Sequence, residues 1–314
     1  MRNAFVQAVT ALAEIDPRVV VLAADIGNRM FDDFKDRFPR RFYNCGVAEQ
    51  NMTGVAAGLA LAGFRPFTYT ITPFVTTRCL EQIRVDLCYH GLPVVIVAVG
   101  AGYSYASLGA THHACEDIAF LRALPGIQVV CPGDSWEVKA AVAGTIHFNG
   151  PTYLRLGKKG EPLVHKAPPS RFSIGRALVL NQGETVALLS TGNLLPEAVE
   201  ASQLLDNSGI SCELVSYHTV KPLDEEYLSA AFQKFSLIVT LEEHSRIGGF
   251  GSAVSEWVCS QHSFPNAQLL SLGTPDAFPH NAGEHHYFRQ KFGLTGQQIA
   301  ERIKKRLRQE TKIG

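Results

Sequence analysis

The chain of 314 residues is 46 % hydrophobic and 18 % charged, and its 29 basic and 29 acidic side chains give a formal net charge of zero. This composition predicts a globular protein with room for two domains, and the balanced charge argues against a nucleic-acid partner. The longest strongly apolar runs, 19–24 and 94–99, are too short to span a bilayer, so we expect a soluble cytoplasmic protein with no membrane partner.

The first half of the chain alternates helical segments with short β-branched runs. Residues 1–7 have the pattern of an amphipathic helix rather than of a signal peptide. Strands are predicted at 18–23, 66–71, 93–99, 128–131 and 152–156, with helices starting near Glu49, after the second strand and at Ser135. Such alternation predicts an α/β fold in which helices cover both faces of a parallel sheet.

The pattern breaks between residues 157 and 173, where glycines, prolines and polar residues predominate. We interpret residues 161–174 as a linker between a first domain of residues 1–160 and a second domain of residues 175–314. The second domain has predicted strands at 185–190, 211–216, 236–241 and 268–271, a helix N-cap at Asp224, and a basic amphipathic helix at 295–308.

Three other patterns have simple interpretations. Gly248-Gly249-Phe250-Gly251 lacks the spacing of a dinucleotide-binding loop, so we interpret it as a tight turn that at best holds an anion. The seven cysteines form no Cys-x-x-Cys pair, which is typical of buried thiols in a reducing compartment. His112 and His113 have no second ligand cluster to accompany them, so we expect no metal site formed by this chain alone.

Glu49 is the most informative single residue, because it stands at the entrance of an otherwise apolar helix. One interpretation is that its charge complements the helix dipole, which contributes about 0.3–1 kcal/mol at an exposed site. The other is that apolar neighbours, among them Val47, Met52, Phe64 and Phe67, bury the carboxyl for proton handling. The pattern alone leaves both interpretations open.

The helix that follows Glu49 has two distinct faces. Its predicted apolar stripe consists of Met52, Val55, Ala56 and Leu59. Gly54, Gly58 and Ala62 recur every four residues, which would let another backbone approach closely.

Several motifs occur in a fixed order along the chain. They are Gly46-Val47-Ala48-Glu49-Gln50, Phe74, Gly109-Ala110-Thr111-His112-His113 with Glu116-Asp117, Pro132-Gly133-Asp134, Gly150-Pro151 and Lys221-Pro222-Leu223. With these motifs in register, essentially the whole chain resembles the C-terminal half of the transketolases, a thiamine-diphosphate-dependent family. The resemblance implies a pyrimidine-binding domain with a parallel sheet, followed by a transketolase C-terminal α/β domain. Because the chain starts directly ahead of this region, it resembles the C-terminal subunit of a split transketolase.

The resemblance implies roles for individual residues. Glu49 matches the glutamate that hydrogen-bonds the aminopyrimidine of the cofactor and so favours formation of the thiazolium carbanion. Val47 matches the residue that props the bent cofactor, Phe74 the aromatic that packs on the aminopyrimidine, and Asp25 an acidic position at the cofactor pocket. His112 matches the histidine that contacts the donor carbonyl. Arg155 and Lys158 lie where the family places cations that bind a substrate phosphate.

The chain also departs from the family pattern in the substrate region. Leu108 replaces the aspartate that reads a substrate hydroxyl, and Lys158 stands where arginine is usual. A histidine that helps to hold phosphate is replaced within 99–102. We therefore predict transfer of a two-carbon ketol unit between sugars or sugar phosphates other than the usual pentose-phosphate pair.

The chain contains no Gly-Asp-Gly, with which the family's magnesium–diphosphate site begins. The resemblance therefore implies that an N-terminal transketolase subunit supplies Mg²⁺ and the diphosphate site, in an α2β2 assembly built on a homodimer of this chain. Three alternatives remain open: the beta subunit of a 2-oxo acid dehydrogenase, a carboligase similar to deoxyxylulose-phosphate synthase, and a non-catalytic subunit that completes an oligomer.

Overall fold

A computed structural model describes residues 1–27, 29–262, 267–281 and 283–310 of the chain. The strands are β1 (Val19–Ala23), β2 (Phe42–Asn44), β3 (Arg65–Ile71), β4 (Val95–Val99), β5 (Gln128–Val130), β6 (Thr152–Leu156), β7 (Leu178–Asn181), β8 (Val186–Thr191), β9 (Cys212–Ser216), β10 (Thr219–Lys221), β11 (Leu237–Ser245) and β12 (Gln268–Thr274). The helices are α1 (Arg2–Ile15), α2 (Asp32–Arg37), α3 (Glu49–Leu61), α4 (Thr72–Val75), α5 (Leu80–Gln82), α6 (Asp117–Arg122), α7 (Ser135–Gly144), α8 (Leu195–Asp206), α9 (Glu225–Lys234), α10 (Phe250–Ser260), α11 (His285–Phe292) and α12 (Gly296–Glu310), with a π-helical segment at Ile83–Tyr89.

The first sheet has seven strands in the order β10-β5-β6-β4-β3-β1-β2. All neighbours are parallel except β10 and β5. Every residue of β1, β4 and β6 is buried, as expected for central strands covered by helices on both faces. The five strands predicted in this half are confirmed, and so is the α/β class.

The second sheet has five strands in the order β12-β11-β8-β9-β7, and only β7 pairs antiparallel with its neighbour. The four predicted strands correspond to β8, β9, β11 and β12. The predicted N-cap is also confirmed, since the Asp224 carboxylate accepts a hydrogen bond from the backbone N–H of Tyr227. Strand β7 has no clear signal in the sequence, because its side chains alternate between half-buried and exposed positions in a short run.

The two sheets are joined by a strand exchange that the sequence pattern does not predict. The pattern indicates a turn at residues 220–224, but β10 extends the first sheet although it follows β9 of the second. The Lys221 ammonium donates to the backbone carbonyl oxygens of Arg122 and Leu124, so the Lys-Pro-Leu motif fixes this junction. The domain boundaries at 160 and 175 stay a prediction.

The turn at residues 248–251, which we interpreted as at best able to hold an anion, is occupied by the chain itself. The Glu242 carboxylate accepts hydrogen bonds from the backbone N–H groups of Phe250 at 2.6 Å and Gly251 at 2.8 Å, at the start of α10. An internal carboxylate therefore serves as the anion at this helix N-terminus.

All seven cysteines are unpaired; Cys79, Cys115, Cys131 and Cys212 are buried, whereas Cys259 is exposed. Over the described residues, no helix is long and apolar enough to cross a membrane.

Candidate functional site

The candidate site lies at one edge of the first sheet, where the carboxyl ends of its parallel strands meet. Glu49 begins α3 directly after β2, Phe74 lies in α4 directly after β3, and His112 lies in the loop that follows β4. Because β1 to β4 run parallel, these three segments leave the sheet on the same side. Such an edge is the usual place for a ligand in an α/β sheet.

Glu49 is a buried carboxyl at the first helical position of α3, with only 3 % of its side chain exposed. Arg78 donates a hydrogen bond from Nη1 to Glu49 Oε2 at 2.8 Å. The interpretation of Glu49 as an exposed partner of the helix dipole is therefore wrong, and its predicted burial is confirmed. Its catalytic role stays a prediction.

Phe74 and Arg78 extend the site outward from Glu49. The guanidinium carbon of Arg78 lies 4.4 Å from the centroid of the Phe74 ring, in cation–π geometry. The ring of His112 meets the ring of Phe74 edge-on, with the centroids 5.2 Å apart. Three residues that are far apart in the sequence, Glu49, Phe74 and His112, are thus connected by contacts, the first of which runs through Arg78.

Tyr105 and Lys158 continue these contacts beyond His112. The rings of Tyr105 and His112 are 6.2 Å apart, and the Lys158 ammonium lies 4.7 Å from the centroid of the Tyr105 ring. Tyr105 packs against the backbone at Gly100, whose φ of +100° and lack of a Cβ leave room for the ring. The site therefore has a carboxyl at one end and an ammonium group at the other.

The titratable rings of the site favour their neutral forms. Burial, and secondarily the charge of His113, hold the pKa of His112 below its usual value. Burial raises the pKa of the Tyr105 phenol. The His112 Nδ1 atom lies 2.9 Å from the hydroxyl of Thr111, which orients the ring. A neutral imidazole has one N–H donor and one lone-pair acceptor, so it can move a proton.

Val47 and Asp25 lie at the rim of the site. Val47 is 75 % exposed in the loop before α3, so it contributes no buried packing within this chain. Asp25 has a positive φ of 51° and exchanges hydrogen bonds with Asn44, whose side-chain oxygen also accepts from the backbone N–H of Gly46. Asp25 thereby fixes the loop that leads to Glu49. The cofactor contacts of both residues stay predictions.

The structure corrects the prediction for Arg155. Its guanidinium is only 1 % exposed and forms a buried ion pair with Asp117, with 2.7 Å between Nε and Oδ2. It also donates to the backbone carbonyl oxygens of Ala114 and Glu243. Arg155 therefore joins the two sheets and cannot contact a substrate phosphate, which leaves Lys158 as the predicted substrate cation.

Sequence reasoning missed Arg78 and Tyr105. Arg78 follows Phe74 by four residues, a spacing that would place the two side chains together in a continuous helix, although α4 ends at Val75 and Arg78 lies in a separate 3-10 turn. Tyr105 gave no signal, because it lies in an irregular loop after β4. Leu108, on the same loop, is 52 % exposed and presents an apolar side chain at its surface.

The residues present fit the aminopyrimidine half of thiamine diphosphate. The buried Glu49 carboxyl is linked through Arg78 to the Phe74 ring, which is only half-buried. Within the ranges that the structure describes, no three His, Cys, Asp or Glu side chains are arranged to hold a metal ion.

Comparison with known proteins gives two family matches that together cover most of the chain. Residues 1–161 match the transketolase pyrimidine-binding domain, and residues 175–299 match the transketolase C-terminal domain.

Individual relatives are similar over almost their whole length. A putative transketolase C-terminal section of Methanocaldococcus jannaschii is 36 % identical, covering 99 % of this chain and 97 % of the relative. The 6-deoxy-6-sulfo-D-fructose transketolase subunit SqwH of a Clostridium species is 36 % identical, covering 95 % and 92 %. A solved structure described as a split gene transketolase, inactive beta4 tetramer, is 37 % identical, with a TM-score of 0.87 and coverage of 97 % and 96 %.

Proposed function

The chain belongs to the transketolase family, and on that premise we propose that it is the C-terminal subunit of a split transketolase that transfers a two-carbon ketol unit between sugars or sugar phosphates. The observation that carries the proposal is the buried Glu49 carboxyl, which Arg78 links to the Phe74 ring within the region that matches the pyrimidine-binding domain. His112 lies beside that ring, where the donor sugar would be bound.

The side chains of this subunit would bind the cofactor and handle protons. When bound, thiamine diphosphate supplies a nucleophilic carbon that attacks the carbonyl group of the donor. Glu49 would hydrogen-bond the aminopyrimidine ring nitrogen in a pocket from which water is excluded, and Phe74 would pack on the ring face. His112 would donate a hydrogen bond to the donor carbonyl oxygen and transfer a proton there.

The outer part of the site supports a substrate with one anionic end. Lys158 supplies a point charge suited to phosphate or sulfonate, although it lacks the bidentate grip of arginine. The Leu108 side chain can accept no hydrogen bond from a sugar hydroxyl, which favours a substrate that lacks a hydroxyl or carries another group at that place. We propose a sugar or modified sugar other than the usual pentose phosphates, and the name of the Clostridium relative is consistent with modified sugars as substrates for this family.

The working enzyme is proposed to be an α2β2 assembly. An N-terminal transketolase subunit would supply Mg²⁺ and the diphosphate site, because the Gly-Asp-Gly motif is absent from this sequence. Two copies of this chain would pair through α3, whose glycines at 54 and 58 have no atom within 4 Å of the place where a Cβ would stand. The solved relative is described as a beta4 tetramer, and this description supports the proposed self-association of the present chain.

A reconstituted complex with the partner subunit tests the function. We expect Glu49→Gln to lower the rate of ketol transfer by at least about 100-fold, which is the usual effect of losing a group that handles protons. The variant chain should still fold in the absence of cofactor. Glu81→Gln is the matched control, because Glu81 is also a glutamate on a helix but is exposed. Full activity of the Glu49 variant would favour the non-catalytic alternative.

The same assay, run on a panel of donors and acceptors, tests the substrate assignment. We expect deoxygenated or substituted sugars with one phosphate or sulfonate group to react faster than xylulose and ribose phosphates. Full activity on the xylulose and ribose phosphate pair would contradict that assignment without affecting the role of Glu49.

A further inference from the structure

Arg78 fills the space between the two side chains that we assign to the aminopyrimidine ring. Its Nη1 atom donates to Glu49 Oε2 at 2.8 Å, and its guanidinium carbon lies 4.4 Å from the centroid of Phe74. Both contacts are made by the planar head of the side chain. The acceptor and the aromatic face of the proposed cofactor pocket are therefore both engaged by one residue of the chain itself.

A guanidinium group and an aminopyrimidine ring offer the same kinds of contact. Each is planar, each presents N–H groups along an edge, and each has a face that stacks on an aromatic ring. Glu49 accepts from the guanidinium and would share a proton with the aminopyrimidine ring nitrogen, while Phe74 can pack against either group. Because both groups would use the same carboxyl and the same ring, they compete for the site.

We propose that Arg78 is a placeholder that occupies the aminopyrimidine position until thiamine diphosphate binds and displaces it. The inference rests on the proposed function, since it requires that Glu49 and Phe74 receive the cofactor. Arg78 is thus a positioning residue that holds Glu49 and competes with the cofactor for it.

The surroundings of the two charges explain why a placeholder is useful. Glu49 is 3 % exposed, and a buried carboxylate without a partner destabilises a folded chain. Arg78 gives it a partner for as long as the chain lacks cofactor. Arg78 itself is 43 % exposed and lies in a single 3-10 turn, Thr77–Cys79, so its head can swing into solvent without opening the core.

Competition of this kind lowers the apparent affinity for the cofactor. When only a fraction of the molecules has an open site, the apparent Kd equals the intrinsic Kd divided by that fraction. An ion pair with one exposed partner is weak, so the expected effect is modest. We expect Arg78→Ala to bind thiamine diphosphate about three- to tenfold more tightly, and to lower the Tm of the cofactor-free chain because Glu49 loses its partner.

The measurement is a calorimetric titration of thiamine diphosphate, with excess Mg²⁺, into the complex with the partner subunit. Arg84→Ala is the matched control, because Arg84 is an exposed arginine of the same helical region and carries the same charge. Arg78→Lys keeps the charge but loses the planar fork, so its affinity is expected between those of the wild type and Arg78→Ala.

Tighter binding in Arg78→Ala with unchanged binding in Arg84→Ala supports the placeholder. Weaker or unchanged binding in Arg78→Ala overturns it, because Arg78 is then a cofactor contact or a bystander. If Arg78→Ala does not fold, Arg78→Lys decides in the same way, since binding no tighter than that of the wild type overturns the proposal. Failure of the wild-type complex to bind the cofactor refutes the proposed function instead, so the two failures are distinguishable.

Discussion

His112 shows how the local environment sets the chemistry of a single side chain. Its half-buried ring packs against Phe74 and Tyr105, and burial is the largest cause of its lowered pKa. The ring is therefore neutral at neutral pH and keeps one nitrogen free to accept a proton. This state suits a group that exchanges a proton with a sugar oxygen.

The lowered pKa of His112 predicts a shifted acid limb in the pH profile. As the pH falls, an unperturbed histidine is protonated near 6.5, but His112 stays neutral to lower pH. We expect kcat/KM of the reconstituted enzyme to fall only below pH 6.5, where the protonated ring loses its acceptor. His112→Asn should remove this limb, and a limb that persists in the variant would assign it to another group.

At the scale of single elements, the end of β11 shows how a buried carboxyl group holds the start of a helix. Glu242 is buried between β11 and α10, and burial raises its pKa to about 7, although the N–H groups of Gly251 and Phe250 oppose that shift. Its neighbour His244, with 3.6 Å between Nδ1 and Glu242 Oε2, has a pKa lowered by burial to about 4. Above pH 5 this histidine is therefore neutral and does not offset the charge of Glu242.

Glu242 predicts a pH dependence of thermal stability. The pKa of a glutamate carboxyl is ordinarily 4.5, whereas that of Glu242 in the folded chain is about 7, so its stabilisation is fully present below 4.5 and is lost as the pH rises through 7. The loss is at most about 3 kcal/mol, on the order of 5 °C in Tm. We expect the Tm of the wild type relative to Glu242→Gln to fall between pH 5 and pH 8, measured by scanning calorimetry. A constant difference across that range would contradict the raised pKa.

The sequence predicted those elements and residues whose signal is local. Strands β1 and β4 are continuous apolar runs, and Glu49 lies next to a helix with a clear period, so each could be recognised within a short window. Strand β10 could not, because a three-residue strand is defined by its distant partner β5. The contact of Arg78 with Glu49 also depends on how α3 and the 3-10 turn at residues 77–79 pack, 29 residues apart.

The exposed face of α3 was predicted only in part. Gly54, Gly58 and Ala62 do share a face, as expected, and that face is exposed. Met52 and Ala56 are buried in the predicted stripe, but Val55 is 40 % exposed and lies beside the glycines instead. The reason is that both sides of this helix are apolar, so the period alone does not say which side meets the core.

At the scale of the whole molecule, α3 presents an exposed apolar face. Leu61 is more than half exposed and shares that face with Gly54 and Gly58, while Val47 before the helix and Leu108 in the loop after β4 are also more than half exposed. Contiguous apolar surface of this kind marks an interaction site. A second copy of this chain and the proposed N-terminal subunit are the partners that would cover it.

Gly58→Leu tests the assembly at the small-residue face of α3. Replacing glycine by leucine within a helix raises helix propensity, and the added side chain would enter open space in the isolated chain. The variant should therefore fold normally, with an unchanged circular dichroism spectrum, yet prevent two α3 helices from approaching closely. We expect analytical ultracentrifugation to show loss of the homodimer and calorimetry to show weaker thiamine diphosphate binding in the presence of the partner subunit, because the proposed assembly is built on that dimer.

Ala230→Leu, on the exposed side of α9, adds a similar side chain and should leave both properties unchanged. A Gly58→Leu chain that still forms dimers would place the self-association surface elsewhere, whereas loss of the dimer without loss of cofactor binding would mean that one copy of each subunit is enough to complete the site.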